Sequence, residues 1–221
     1  MNPNLFQCNN QVVSSQSLFP GRGGIFFDRD GTIIEEKNYL SRINDLKLLD
    51  GVVSGLQKLK TLGMPFYLIT NQAGIAHGFF TEEQLRLIQS FLANQLRELE
   101  IIFRASFYCP HHPEAEIQEY RLDCFSRKPN PGLLYQAARF DKINLKHSYI
   151  IGDKLSDLEA GRRAGTKTIL VLTGYGVEEL KKINPRQKPD FIATSIESAA
   201  DWIISRENGT GNGTSITQKT V

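Results

Sequence analysis

Gly24-Ile25-Phe26-Phe27-Asp28-Arg29-Asp30-Gly31-Thr32 begins as an apolar run and ends on two carboxylates and a glycine. A run this short, opened by glycine and rich in branched and aromatic residues, predicts a strand buried on both faces. Strands of that kind belong to parallel sheets covered by helices, whose ligands gather beyond the carboxyl ends of the strands. Asp28 and Asp30 therefore fall where chemistry is expected. Gly31 permits the sharp turn that carries the chain away from them.

Outward from this strand, short apolar runs at 65–70, 104–108, 148–151, 168–172 and 191–193 alternate with helical patterns. Helices are predicted over 51–63, from Thr81 onward, over 131–140, over 155–164, and from 194 to about 205. Leu85, Ile88, Leu92, Leu96 and Leu99 recur at helical spacing and predict a core-facing stripe behind a Thr81/Gln84 capping box. Thr194 and Glu197 share the capping spacing. Such alternation specifies an α/β fold with a doubly wound, mostly parallel, Rossmann-like sheet, here a single domain over 23–206. The polar ends read as a flexible N-terminal segment, 1–22, and a disordered tail, 207–221. No long insertion interrupts the pattern apart from a Cys/His loop at 109–126, so no large cap is expected and short loops close the site.

Composition narrows the partners. The chain has 221 residues, 40% of them hydrophobic, enough to bury one sizeable core. A formal charge of +2 provides no field for a nucleic-acid backbone or an anionic membrane. No apolar run approaches the roughly 20 residues of a membrane span, and the first 24 positions carry no secretory signal, so a cytoplasmic location is expected; a monomer is expected as well. Three cysteines, Cys8, Cys109 and Cys124, do not make a disulfide framework. The triplets at 208–210 and 212–214 match a glycosylation pattern, but without a signal they read as ordinary tail sequence.

The strand ends are unusually polar. Asp28-Arg29-Asp30-Gly31-Thr32 closes the first, Thr70-Asn71-Gln72 the second, and Gly152-Asp153-Lys154-Leu155-Ser156-Asp157 a later one, with Arg127-Lys128-Pro129 opening a helix between the last two. Phosphoryl transfer needs a nucleophile, a cation against the phosphate charge, donors for the equatorial oxygens and a proton source for the leaving group. This set contains all of them. A calcium loop is the bland reading of Asp-x-Asp-Gly, but the spacing argues against it, since Tyr39 stands at the twelfth position where such a loop closes on a glutamate.

In content and order these segments resemble the four motifs of the haloacid dehalogenase superfamily, over roughly residues 23–205. Within it, Phe26 to Thr32, Thr70 to Ala76, Cys109-Pro110-His111-His112-Pro113, Arg127-Lys128-Pro129 and Gly152-Asp153-Lys154 are similar to the heptose bisphosphate phosphatases, with the histidinol-phosphate phosphatases close by. The resemblance implies a magnesium-dependent phosphatase acting on a small phosphorylated metabolite, a sugar bisphosphate before histidinol phosphate. It makes Asp28 the nucleophile and Asp30 the acid and base. It places magnesium on Asp28, Asp153 and the Asp30 carbonyl, with Asp157 behind them. Thr70 and Lys128 hold the phosphoryl group, while Tyr39 in the loop from Glu36, Asn71, Gln72, Arg127 and Lys154 contact substrate. A phosphoaspartate receiver domain is the rival from another class, but it carries its phosphorylated Asp on a later strand than its paired acids.

Cys109-x-His111, twelve residues, then Cys124-x-Ser126 resembles a zinc loop that has lost one donor. The family has a second cysteine where this chain has Ser126. Serine is a poor substitute for thiolate, which leaves zinc on Cys109, His111 and Cys124 one ligand short unless His112, Asp123 or a water supplies it. The loop runs directly into Arg127 and Lys128, so its order is expected to position them.

Overall fold

The computed structural model describes residues 10–12 and 19–209. Its strands are β1 (Asn10–Val12), β2 (Ile25–Phe27), β3 (Phe66–Asn71), β4 (Phe103–Cys109), β5 (Tyr149–Gly152), β6 (Lys167–Val171) and β7 (Phe191–Ala193). They form one sheet in the order β1-β4-β3-β2-β5-β6-β7. All pairings among β2 to β7 are parallel. The chain builds outward from β2 through β3 to β4, then crosses to β5 on the other flank of β2. That reversal opens a crevice beside the end of β2, the place where doubly wound sheets bind ligands.

The helices are α1 (Val52–Lys60), α2 (Ala73–Ala76), α3 (Glu82–Glu98), α4 (Gly132–Asp141), α5 (Leu155–Ala164), α6 (Gly176–Leu180) and α7 (Ile196–Glu207). Side chains alternate across the strands. Ile25 and Phe27 pack with Leu56 of α1, Leu92 of α3 and Ile203 of α7 on one face, while Phe26 packs with Leu133 of α4 and Ala160 of α5 on the other. Each buried aliphatic or aromatic side chain in these two layers contributes about 1.5–3 kcal/mol, which clamps β2 on both faces and fixes where Asp28 emerges.

Several local expectations change. β1 lies inside the segment expected to be flexible, where Asn10–Val12 pairs antiparallel with Phe107 to Ala105. The remaining N-terminal residues, including Cys8, and residues 210–221 of the tail lie outside the described residues. α3 keeps its Thr81/Gln84 capping box, and Leu85, Ile88, Leu92 and Leu96 are buried. Leu99 instead occupies the C-cap, off the buried face, and is 40% exposed. α7 is capped by Ser195, not Thr194, through a bond from the Ser198 N–H. Among the described residues no helix is long and apolar enough to cross a membrane.

Candidate active site

Asp28 follows β2, and its Oδ1 accepts a hydrogen bond from Lys128 Nζ at 2.7 Å. The same ammonium lies 2.6 Å from Asp157 Oδ1 and donates to the Ile69 carbonyl at 3.0 Å. Asp153 follows β5, and Asp157 sits in the first turn of α5, accepting from the Lys154 N–H at 3.0 Å. One carboxylate oxygen each from Asp28, Asp153 and Asp157 lies within 4.8 Å of the others, all three residues being buried. Two glycines make room for this crowding. A Cβ on Gly31 (φ +78°) or Gly174 (φ +53°) would stand 2.2 or 2.3 Å from Asp153 Oδ2.

The electrostatics follow from three buried acids around one buried base. Burial, and then the charge of Asp28, push the Asp153 carboxyl up to about 8. Burial also raises Asp157, to about 6, against the pull of Lys128. Desolvation works against the Lys128 ammonium, but Asp157 and Asp28 outweigh it and hold its pKa above the ordinary value.

Asp30 stands beside this centre in a separate network. Arg29, itself buried, grips the Asp30 carboxylate through Nε at 3.1 Å and Nη2 at 3.0 Å. Gln72 Nε2 donates to Asp30 Oδ2 and to Thr70 Oγ1, each at 2.9 Å, and Gln72 Oε1 accepts from Arg29 at 3.0 Å. Asn71 makes a reciprocal pair with the Lys128 backbone, donating to its carbonyl at 2.9 Å and accepting from its N–H at 3.0 Å. Asn71 and Gln72, expected to contact substrate, thus have polar atoms committed to holding Lys128, Asp30 and Thr70.

A cleft of about 330 Å³ covers the centre, with Asp28, Tyr39, Thr70, Arg127, Lys154 and Tyr175 in its walls. Lys154 Nζ lies 3.1 Å from Glu36 Oε2 and 4.6 Å above the Tyr175 ring. Arg127 donates to the His111 carbonyl at 3.0 Å, and no carboxylate pairs with it among the described residues, in contrast to Arg29, Lys128 and Lys154. The family described as HAD-hydrolase-like matches residues 125–199. A D-glycero-alpha-D-manno-heptose-1,7-bisphosphate 7-phosphatase from Photorhabdus laumondii is 42% identical over 155 residues, 70% of this chain and 85% of that protein. A D-glycero-beta-D-manno-heptose-1,7-bisphosphate 7-phosphatase from Salmonella typhi is 38% identical over 183 residues, 82% of this chain and 89% of that protein. The D,D-heptose 1,7-bisphosphate phosphatase of B. bronchiseptica, solved with magnesium and phosphate, has a TM-score of 0.74 at 27% identity, covering 83% of this chain and 99% of that one. The chain belongs to the heptose-1,7-bisphosphate 7-phosphatase family of HAD-like hydrolases.

For a phosphatase of this family the acidic centre fits magnesium on its own chemistry. The donors are hard carboxylate oxygens, and Asp153 Oδ1 is buried without a hydrogen-bond partner among the described residues. A cation there would satisfy that oxygen and offset the surplus of negative charge. Two residues that shape the heptose-phosphatase site escaped the motif reading. Arg29 could have been suspected as the counter-charge between two acids. Tyr175 gave no local signal, because its role depends on the fold bringing it to Asp153 and Asn38.

In the Cys/His loop, Cys109 Sγ lies 3.7 Å from His111 Nδ1, and the donor atoms of Cys109, His111 and Cys124 fall within 4.8 Å of one another. Ser126, the fourth position of the pattern, has a partner in α4. Its hydroxyl is fully buried and accepts from Gln136 Nε2 of α4 at 2.8 Å. His112 Nδ1 accepts from the Glu114 N–H, and its ring lies against His77, with centroids 5.0 Å apart. The loop does hold Arg127, through the His111 carbonyl and a 2.9 Å bond from the Arg127 N–H to the Cys124 carbonyl.

Proposed function

We propose that this chain hydrolyses the 7-phosphate of D-glycero-D-manno-heptose 1,7-bisphosphate through an aspartyl phosphate on Asp28. The observation that carries this reading is the convergence of Asp28, Lys128, Asp153 and Asp157, with Asp30 and Thr70 beside them, in a chain that shares 42% identity with a heptose bisphosphate phosphatase. The Asp28 carboxylate attacks phosphorus and the bond to the sugar oxygen breaks. Asp30, held by Arg29 and Gln72, gives that oxygen a proton. Asp30 then takes a proton from water, whose oxygen attacks phosphorus and frees Asp28 and inorganic phosphate. Lys128 and the Thr70 hydroxyl hold the phosphoryl oxygens, which is where preorganised charge lowers the barrier.

Magnesium would be held by Asp28, Asp153 and the Asp30 carbonyl, with Asp157 supporting them, and supplies charge that offsets the phosphoryl oxygens. Arg127, the cleft cation without a carboxylate partner, suits the second phosphate of a bisphosphate. Phosphate release from heptose bisphosphate, histidinol phosphate and simple sugar monophosphates, with and without magnesium, tests the proposal. Heptose bisphosphate should be preferred by at least tenfold in kcat/KM and only with the metal. A clear preference for histidinol phosphate would refute the substrate assignment.

A further inference from the structure

Tyr175 makes three contacts that tie the cleft together. Its N–H donates to Asp153 Oδ2 at 2.8 Å, its ring carries the Lys154 ammonium at 4.6 Å, and its hydroxyl donates to Asn38 Oδ1 at 2.9 Å. Asn38 and Tyr39 both adopt left-handed backbone, with φ of 46° and 73°. Asn tolerates that conformation but Tyr does not, so Tyr39 keeps it only because surrounding contacts enforce it. A second brace exists: the Asn38 N–H donates to Glu36 Oε1 at 2.9 Å, and Glu36 Oε2 lies 3.1 Å from Lys154 Nζ. The strained turn holds Tyr39 at the cleft mouth against Phe79, with ring centroids 4.8 Å apart.

We propose that Tyr175 is a positioning residue for substrate recognition, its hydroxyl latching the 36–39 loop so that Tyr39 is set before substrate arrives. The proposal rests on the sugar-phosphatase reading above. The latch acts on the wall that meets the body of the substrate, away from phosphorus. Its loss therefore weakens binding and leaves the chemical step alone.

Tyr175→Phe removes only the hydroxyl. It should raise KM for heptose bisphosphate about fivefold, the worth of one hydrogen bond, with kcat changed by less than about twofold. In the substrate-free protein, the backbone amides of 37–39 should exchange with deuterium faster than in the wild type. Asn38→Gly removes the Oδ1 acceptor of the Tyr175 hydroxyl while keeping the positive φ without strain, so in that background the same substitution should change KM by less than about twofold. A general structural role for Tyr175 would give equal factors in both backgrounds, and that result, or unchanged exchange at 37–39, overturns the latch. Exchange reads the latch without any substrate. A wild-type protein inactive on heptose bisphosphate therefore counts against the proposed function and leaves this test intact.

Discussion

Lys128 Nζ donates to Asp28 Oδ1 at 2.7 Å, joining two residues 100 positions apart in the chain. Both are buried, so removing either partner leaves the other an uncompensated charge in the interior. Lys128→Met would leave Asp28 and Asp157 buried without their counter-charge. The expected cost in metal-free protein is about 3–5 kcal/mol, and magnesium should recover part of it. Urea unfolding with EDTA and with magnesium measures both; equal stability of variant and wild type would show that the ammonium is not needed to balance the acids.

Asn71 holds the Lys128 backbone by two hydrogen bonds, each worth about 1 kcal/mol. Asn71→Ala should lower unfolding free energy by about 2 kcal/mol and kcat/KM by at least tenfold, because Lys128 loses its anchor. Asn71→Asp keeps the acceptor and loses the donor, and should fall between the two. Wild-type activity in the alanine variant would show that Asn71 does not anchor Lys128 for catalysis.

The raised carboxyls make stability and metal binding depend on pH in a defined sense. Asp153 titrates near 8 in the folded metal-free protein, against about 3.9 when unfolded. Its protonated form contributes stability that is full below the unfolded value and is lost as pH rises toward 8. Magnesium competes with that proton, so the gain in Tm on adding the ion should be larger at pH 8 than at pH 6. Thermal melts at fixed magnesium across this range decide the matter, and a gain that shrinks with rising pH would contradict the assignment of Asp153 to the metal.

Zinc content tests the Cys/His loop. The wild-type site has three converging donors, and Ser126→Cys offers a thiolate at the fourth position of the pattern. Elemental analysis after dialysis should find more zinc in the variant, together with a higher Tm. The same zinc content in both proteins would mean that residue 126 does not reach the site.

The sheet and its acids were legible in the sequence because each lies at the end of an apolar run whose length and composition define a buried parallel strand. Asp28, Thr70 and Asp153 needed only that rule. The duties of Asn71 and Gln72 were not legible, since their partners Lys128 and Asp30 lie 57 and 42 positions away. The strand Asn10–Val12 has no periodic pattern, and its pairing with β4 is a contact between distant segments. α2 and α6, of 4 and 5 residues, are too short for helical periodicity to register. Ser126 could be recognised as a departure from the zinc pattern, but not its partner Gln136, which α4 brings to it.

The central claim is that phosphate passes through the Asp28 side chain. Wild-type protein quenched within milliseconds of mixing with substrate and magnesium should carry phosphate on Asp28, whereas Asp30→Asn, which lacks the acid of the first step and the base of the second, should turn over slowly if at all. Borohydride reduction followed by mass spectrometry of the peptide containing Asp28 should show its carboxyl converted to an alcohol, and Asp28→Asn should show neither conversion nor turnover. Conversion at another carboxylate, or turnover that survives Asp28→Asn, would contradict the account.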